Sequence, residues 1–435
     1  MNLFQLLQKK IKNFSSGKSI WKNIFLISSG TVLAQGITIL LTPIVTRLYL
    51  PDDYGILTSF NSVIAILIII ASFDYHKAIP LAKNDKQAIN LIFLSLLILI
   101  SITLSLFLVL YFFGEAIFDN LNLNDLLNFK FYLPLALFFI GAYKIFLEYA
   151  LRNRDYKAIT KTSIYQSSFA NSFRIILGYF NSGAIGLILS AIIGKSFGLY
   201  TLIKPLFSTK KIINYINKTN VLNVIRRYKR YPLYSTPSNL IYTLGNNLPM
   251  LFILAFFGSY EVGLFGLANN IINIPLTLVG MSVSQVFFAE AAKIGKHKPT
   301  ELKNISTKLV SKLATFGLIP LLFVFIFGPQ VFSFVFGNQW YEAGEYARVL
   351  SVMVYFHLLI LPVGRLLEIL ELQKLGLIFN AIRLICIGLV FFVTLKLNLS
   401  SINTIISYSL INSIFYLLLL LFVLKTLKKE SLIRL

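Results

Sequence analysis

Acidic side chains are scarce in this chain: 17 Asp and Glu stand against 40 Lys and Arg. Cysteine is nearly absent. Cys386, the one example, cannot form an internal disulfide and excludes the paired thiolates of a cysteine zinc site. Charge of either sign is thin, at 13% of residues, where a soluble protein carries about 25%. That deficit excludes an ordinary water-soluble domain. Catalytic signatures are missing as well: no HExxH, no phosphate-binding glycine loop, no GxSxG and no paired carboxylates inside the apolar runs. The sequence therefore predicts no enzyme, no cofactor and no metal site.

Apolar length fills the space. Hydrophobic residues make up 57% of the chain, and runs of about 20 mainly apolar residues cross a bilayer core. Twelve runs are expected, at 24–46, 56–74, 90–113, 131–151, 159–180, 184–204, 236–257, 262–288, 312–336, 346–368, 375–395 and 402–424. The fifth is the weakest, because KTSIYQSSFANSFR at 161–174 is rich in polar groups.

The basic residues then acquire a meaning. With the N-terminus on the cytoplasmic side, and with Lys161, Lys204, Lys312 and Arg348 at the run ends counted with the adjoining loops, 31 of the 40 Lys and Arg fall on that side, 4 fall outside and 5 lie deeper within runs. This is the positive-inside pattern. The net charge of +23 therefore reads as topology and contact with anionic inner-leaflet lipid, not as affinity for nucleic acid. No cleavable signal is expected. Residues 1–22, with Leu3, Leu7, Ile11 and Phe14 at helical spacing, read as an interfacial amphipathic arm. The basic stretch 207–235, including KKIINYINKTNVLNVIRRYKR, reads as a cytoplasmic amphipathic linker. It separates a six-helix bundle at 23–206 from another at 236–435.

Two short stretches repeat. TRLYLPDDYG at 46–55 and FFGSYEVG at 256–263 each join the first and second runs of their half. Aligning Gly55 with Gly263 sets Asp53 against Glu261 and Asn61 against Asn269. FFGEAIF at 112–118 and IFGPQVF at 326–332 echo each other in the same order. A duplicated six-helix unit accounts for both echoes and predicts a pseudo-twofold along the membrane normal.

Five basic residues lie deeper within runs: Lys144, Arg174, Lys195, Arg365 and Arg383. Each costs about 2.5 to 3.5 kcal/mol at a helix centre unless it meets water or an anion. Lys144 has Glu148 one turn on, which allows a self-neutralising pair as well as a ligand contact. Arg174, Lys195 and Arg383 have no acid one turn away and are the strongest candidates for an anionic substrate. Arg365, with Glu368 and Glu371 following, reads as a salt-bridge cluster or inner gate. Asp74, ending the second run ahead of His76 and Lys77, and Glu290, ending the eighth, read as interface residues. Asp74 and Glu148 are also the acids available for ion coupling. His357 reads as a packing histidine able to titrate. Asn246, Asn247, Asn269, Asn270 and Asn273 are placed to bridge helices or to bind sugar hydroxyls.

SSGTVLAQGITILLTPIVTRLYLPDDYG at 28–55, with FDYHKAIPLAKND at 73–85, resembles the opening of the Wzx-type O-antigen and lipopolysaccharide oligosaccharide flippases. These form the polysaccharide transporter family of the superfamily that also holds the drug exporters and the lipid II flippases. The resemblance implies an all-α integral membrane fold of twelve helices in two six-helix bundles, V-shaped around a central cavity. It implies a bacterial inner-membrane protein with both termini cytoplasmic. The expected function is to flip a polyprenyl-pyrophosphate-linked oligosaccharide to the outer leaflet by alternating access, in contact with the polysaccharide polymerase machinery. Cationic cavity residues are a theme of the family, which Lys144, Arg174, Lys195 and Arg383 are placed to supply. The motif carrying Arg47, Asp53 and Gly55 would shape a tight outer turn. A lipid II or drug exporter, a membrane polymerase or glycosyltransferase, and a non-transporting scaffold stand as alternatives. The few buried acids argue against a cation exporter, and the short outer loops against an enzyme.

Overall fold

The computed structural model describes residues 17–207, 215–370 and 372–433. The expected arm over 1–22 therefore lies mostly outside the described residues, as does Glu371. Among the described residues every regular element is helical. The helices are α1 Gly17–Leu48, α2 Pro51–Ile70, α3 Asp85–Asn120, α4 Tyr132–Arg152, α5 Tyr156–Tyr179, α6 Gly183–Ser196 and α7 Leu199–Phe207. There follow α8 Lys218–Arg227, α9 Thr236–Ile272, α10 Met281–Ile294, α11 Pro299–Phe336, α12 Tyr341–Gly364, α13 Leu366–Ile369, α14 Gln373–Leu397 and α15 Ser401–Ile433.

Ten of the described helical segments are long and apolar enough to cross a membrane, against twelve expected runs. Two physical effects make the difference. The seventh and eighth runs count as one segment, although Gly258, with φ of 85° and ψ of 178°, breaks the helical backbone and kinks the chain between them. The fifth run, α5, is a 24-residue helix whose polar side chains lower its hydropathy. Those side chains are spent on neighbours. Ser167 donates to the Ala34 carbonyl at 2.6 Å and Asn171 Nδ2 to Thr38 Oγ1 at 3.1 Å, tying α5 to α1. Gln166 Nε2 donates to the Lys195 carbonyl at 3.1 Å, and Thr162 bonds Thr201, tying α5 to α6 and α7. Interhelical hydrogen bonds of this kind let a polar helix sit among apolar ones.

The chain packs as two compact units. Unit 1 runs to Leu48 and adds Leu67–Phe113 and Phe129–Pro237; unit 2 takes Tyr49–Ile66, Gly114–Asn128 and the chain from Ser238 onward. In unit 1, α5 packs between α1 and α6, and α4 packs on α6 and on the 3-10 segment Tyr75–Leu81. In unit 2, α12 is central, against α10, α11 and α15. Its inner core includes Leu302, Leu359, Ile360, Val363, Leu366 and Val423.

Tyr49–Ile66 belongs to unit 2 because the two repeated stretches pack on each other there. A Cβ on Gly55 would lie 1.8 Å from the Ser259 carbonyl oxygen, and one on Gly263 would lie 1.9 Å from the Pro51 carbonyl oxygen. Under the alignment of Gly55 with Gly263, Pro51 corresponds to Ser259. The contact is thus reciprocal, as a twofold relation between the corners requires. Thr58 and its own counterpart Gly266 meet further along, with 2.4 Å between Thr58 Oγ1 and a Cβ built at Gly266. Pro51 starts α2 at the first helical position, and Asp53 two residues on accepts from the Leu50 backbone N–H at 3.1 Å. That is one half of a capping box. Ser259 Oγ donates to Asp52 at 2.7 Å and its backbone N–H to Asp125 at 3.1 Å. Glu261, the counterpart of Asp53, instead accepts from Tyr346 and from Ser401, the latter at 3.0 Å.

Candidate functional site

Unit 1 collects three of the basic candidates. Arg174 on α5 donates from Nε to Ser190 Oγ of α6 at 3.2 Å. Lys195, also on α6, places its ammonium 5.2 Å from the centre of the Tyr143 ring on α4, a cation–π distance. Lys144 follows Tyr143 on α4. The charges that act on Lys144 are those of Lys77, Asp74 and Lys195, and Arg174 acts on Lys195. Close helix packing draws the group together: a Cβ on Gly194 would lie 2.5 Å from that of Ala170, and one on Gly198 would lie 2.2 Å from Thr162 Cγ2.

Glu148 does not neutralise Lys144. The two are one turn apart, yet no ion pair joins them, and Glu148 is influenced by Lys77 instead. The spacing that permits an i,i+4 pair does not oblige it when both side chains have other surroundings.

Asp74 also acts by its charge on Lys144. It takes a left-handed conformation with φ 57°, following Phe73 at φ 45°; Asp tolerates that region better than most residues. Its Oδ2 accepts from Lys77 at 3.0 Å and from Ser235 at 2.8 Å. The 3-10 segment is thereby tied to the π-helical turn Tyr231–Ser235. His76, buried beside it, has Nδ1 at 2.6 Å from Ser72 Oγ. Burial is the main force holding its imidazole down at about 4 from an ordinary 6.5; Lys144 and Lys77 act in the same direction and Asp74 opposes them.

The unfolded chain therefore binds more protons between pH 4 and 6.5. The stability from a neutral His76 is complete above about 6.5 and is lost as pH falls toward 4, on the order of 3 kcal/mol in all. Melting of the detergent-solubilised protein should show this slope, and His76→Gln should flatten it. An unchanged slope in that variant would assign the effect to other groups.

Unit 2 holds a polar cavity of about 850 Å3. Arg383 on α14, only 8% exposed, lies in its wall. Nη2 donates to Asn246 Oδ1 of α9 at 2.7 Å and Nη1 to the Tyr416 hydroxyl of α15 at 2.9 Å. The guanidinium passes close to α9 at Gly245, where a Cβ would lie 3.4 Å from Nη2, an ordinary contact. His357 stacks on Tyr416, with ring centres 4.6 Å apart and planes 9° apart. Tyr242, Asn380 and Lys374 complete the polar lining. At the cavity margin Arg365 covers the Phe288 ring at 3.8 Å and holds Glu368 at 3.8 Å from Nε.

The sequence-predicted residues thus fall in three places. Lys144, Arg174 and Lys195, with Glu148 and Asp74, belong to unit 1. Arg383, Arg365 and Glu368 belong to unit 2, with His357 brought to Arg383 through Tyr416. Asp53 and Gly55 form the corner, which Arg47 precedes at the end of α1. Tyr143 and Tyr416 were not singled out from the sequence. An aromatic residue in an apolar run reads as packing, and nothing local marks the ones that face a cation.

The fold is that of a class of multi-helix membrane transporters. A multidrug resistance MATE family transporter of the MOP superfamily, solved in an inward-facing conformation, superposes with a TM-score of 0.72 at 15% identity, over 92% of this chain and 99% of that one. The lipid II flippase MurJ, in an inward closed conformation, superposes with a TM-score of 0.73 at 16% identity, over 94% and 90%. A MOP superfamily transporter from Pyrococcus furiosus Vc1 (DSM3638), described for the reverse polarity of its binding pocket, gives 0.61 at 14% identity over 94% and 96%. No curated protein matches the sequence. The sequence matches the family described as polysaccharide biosynthesis protein over residues 44–345. The chain belongs to that family and is a multi-pass membrane protein.

Proposed function

We propose that this protein flips a polyprenyl-pyrophosphate-linked oligosaccharide, of the O-antigen type, from the cytoplasmic to the outer leaflet of a bacterial inner membrane. It works as a transporter and not as an enzyme, with twelve crossings, two six-helix halves and alternating access. The observation that carries this reading is the setting of Arg383. A buried guanidinium is bonded to an amide and a phenol, and among the described residues no carboxylate is its hydrogen-bond partner. A cation kept in that state is unfavourable in a membrane protein unless an anion visits it. Its planar fork suits phosphate oxygens, and Asn246, Asn380 and Tyr242 offer hydrogen bonds to sugar hydroxyls. Lys195 in unit 1 likewise meets an aromatic ring instead of an acid.

The test is genetic. Deleting the gene in its own host should abolish surface polysaccharide and leave lipid-linked repeat units on the inner face of the membrane. Restoring the wild-type gene should clear them. Repeat units that still reach the outer face, with only the polymer length altered, would mean a polymerase or scaffold instead.

A further inference from the structure

Unit 1 contains a second polar site, remote in sequence from the buried cations. A pocket of about 210 Å3 lies between the first turns of α3 and the linker helix α8. Lys86 and Arg227 supply two exposed cations, and Asn84, Asn90, Asn220 and Asn223 supply amides; no carboxylate lines it. The nearest acid along the chain, Asp85, is taken by Arg152 at 2.8 Å. Arg227 rests over the Tyr228 ring, 5.4 Å from its centre.

The site is built around Asn90. This side chain is fully buried, and its Nδ2 donates to two carbonyls, Lys86 at 2.7 Å and Tyr215 at 2.9 Å. Two carbonyl partners fix which end of the amide is nitrogen. Its Oδ1 has no hydrogen-bond partner among the described residues but is sealed from solvent, so Asn90 braces the wall of the pocket and the accessible amides are those of Asn220 and Asn223. Asn220 Nδ2 donates to the same Tyr215 carbonyl at 3.2 Å, and its own oxygen remains an acceptor. Asn84 accepts from the Gln87 backbone N–H at 2.9 Å and caps α3, whose positive N-terminal end adds to the two cations. The pocket therefore offers positive charge from Lys86 and Arg227 together with hydrogen-bond acceptors from Asn220 and Asn223. An anion alone would leave the acceptors unmet, and a neutral sugar would leave the cations unmet.

We propose that this pocket binds a phosphate ester bearing free hydroxyls, of the size of glycerol phosphate. Lys86, Arg227 and the start of α3 take the phosphate, and the oxygens of Asn220 and Asn223 take the hydroxyls. The volume holds roughly seven waters, enough for such a group and too small for a nucleotide. α8 is amphipathic, burying Val224 and ending in Arg226 and Arg227. α3 passes directly from Lys86 into a long apolar stretch. Both features belong to the level of lipid headgroups, on the side that the charge pattern makes cytoplasmic. A phosphatidylglycerol headgroup has the required chemistry, and a free glycerol phosphate shares it. Occupancy would pin the linker, through Tyr215 and Asn90, to α3.

The experiment uses the full-length protein in neutral detergent and reads binding by native mass spectrometry and melting temperature. The probes are phosphatidylglycerol, phosphatidic acid, phosphatidylethanolamine and glycerol 3-phosphate. Phosphatidylglycerol is expected to bind and to raise the melting temperature, ahead of phosphatidic acid, which lacks the hydroxyls. Lys86→Gln and Arg227→Gln should each weaken it about fivefold, the effect of roughly 1 kcal/mol per cation. Asn220→Ala with Asn223→Ala should leave binding but erase the preference over phosphatidic acid. Equal saturation by glycerol 3-phosphate would keep the site and assign it a soluble ligand. Phosphatidylglycerol binding that survives both cation variants, or equal binding of all three lipids by the wild type, would overturn the proposal. The two cations and Asn223 are exposed and Asn220 is half-buried, so the melting temperature of each variant without lipid is measured first to establish that it is folded.

Discussion

Arg383→Ala is expected to reduce outward movement of the lipid-linked glycan by about 100-fold, with the protein still folded and in the membrane. Two charge-assisted hydrogen bonds are lost, each worth about 1.5 to 3 kcal/mol, along with the positive charge of the unit 2 cavity. The fold should survive because Asn246 and Tyr416 line a cavity of about 850 Å3, where water can take over the bonds of the guanidinium. Arg383→Lys is the sharper test. It keeps the charge, yet a single ammonium cannot bridge Asn246 and Tyr416 at 2.7 and 2.9 Å while presenting a fork to a phosphate. Lysine is therefore expected to recover less than a tenth of the activity. Both variants are compared with the wild type at equal membrane abundance, by the amount of lipid-linked unit left on the inner face. Wild-type transport by Arg383→Ala would remove this residue from the site.

Gly55→Ala and Gly263→Ala should each destabilise the protein by about 3 kcal/mol, lowering the melting temperature by about 3 °C. The added methyl would stand 1.8 or 1.9 Å from a carbonyl oxygen of the opposite corner. Backbone cannot swing aside as a side chain can, so the two corners must separate. Separation breaks the Ser259 bonds to Asp52 and Asp125 and disturbs the packing of Tyr54 on Trp340, whose rings lie 5.3 Å apart. Gly266→Ala should be milder, because it meets the Thr58 side chain, which has other rotamers. Gly388→Ala meets nothing within 4 Å and should be neutral or slightly stabilising, as alanine is the better helix former. Melting curves of the four variants in one detergent give the ranking. If Gly55→Ala and Gly263→Ala behave like Gly388→Ala, the corners are not packed as described.

The repeated stretches show how far the sequence can be read. Aligning Gly55 with Gly263 identifies the two corners as counterparts; that they touch is seen only in the structure, where glycine lets the two backbones approach closely. The matched acids do not follow. Asp53 caps its own helix, whereas Glu261 binds Tyr346 and Ser401 from distant helices. Local pairing can be read from spacing; partners brought in by tertiary packing cannot. The same limit governs Lys144 and Glu148, where helical spacing allows a pair that packing does not make. It governs α5 too: its polar residues look unfit for a membrane until Ala34, Thr38 and Lys195 are seen to receive their hydrogen bonds. Charge within an apolar run singled out Arg383 as a residue needing a reason. That Asn246, Tyr416 and His357 gather around it depends on three other helices, and no motif announces them. Gly258, in the gap between the seventh and eighth runs, is where the backbone breaks.

The most direct test of the central claim is transport by the purified protein. Proteoliposomes would carry a polyprenyl-pyrophosphate oligosaccharide, with its leaflet read by a membrane-impermeant glycosidase. A matched lipid with the same glycan and a neutral linkage serves as the comparison. The account predicts protein-dependent movement of the pyrophosphate lipid, reduced about 100-fold by Arg383→Ala, and little movement of the neutral one. Equal movement of both lipids, or none that depends on the protein, would contradict it.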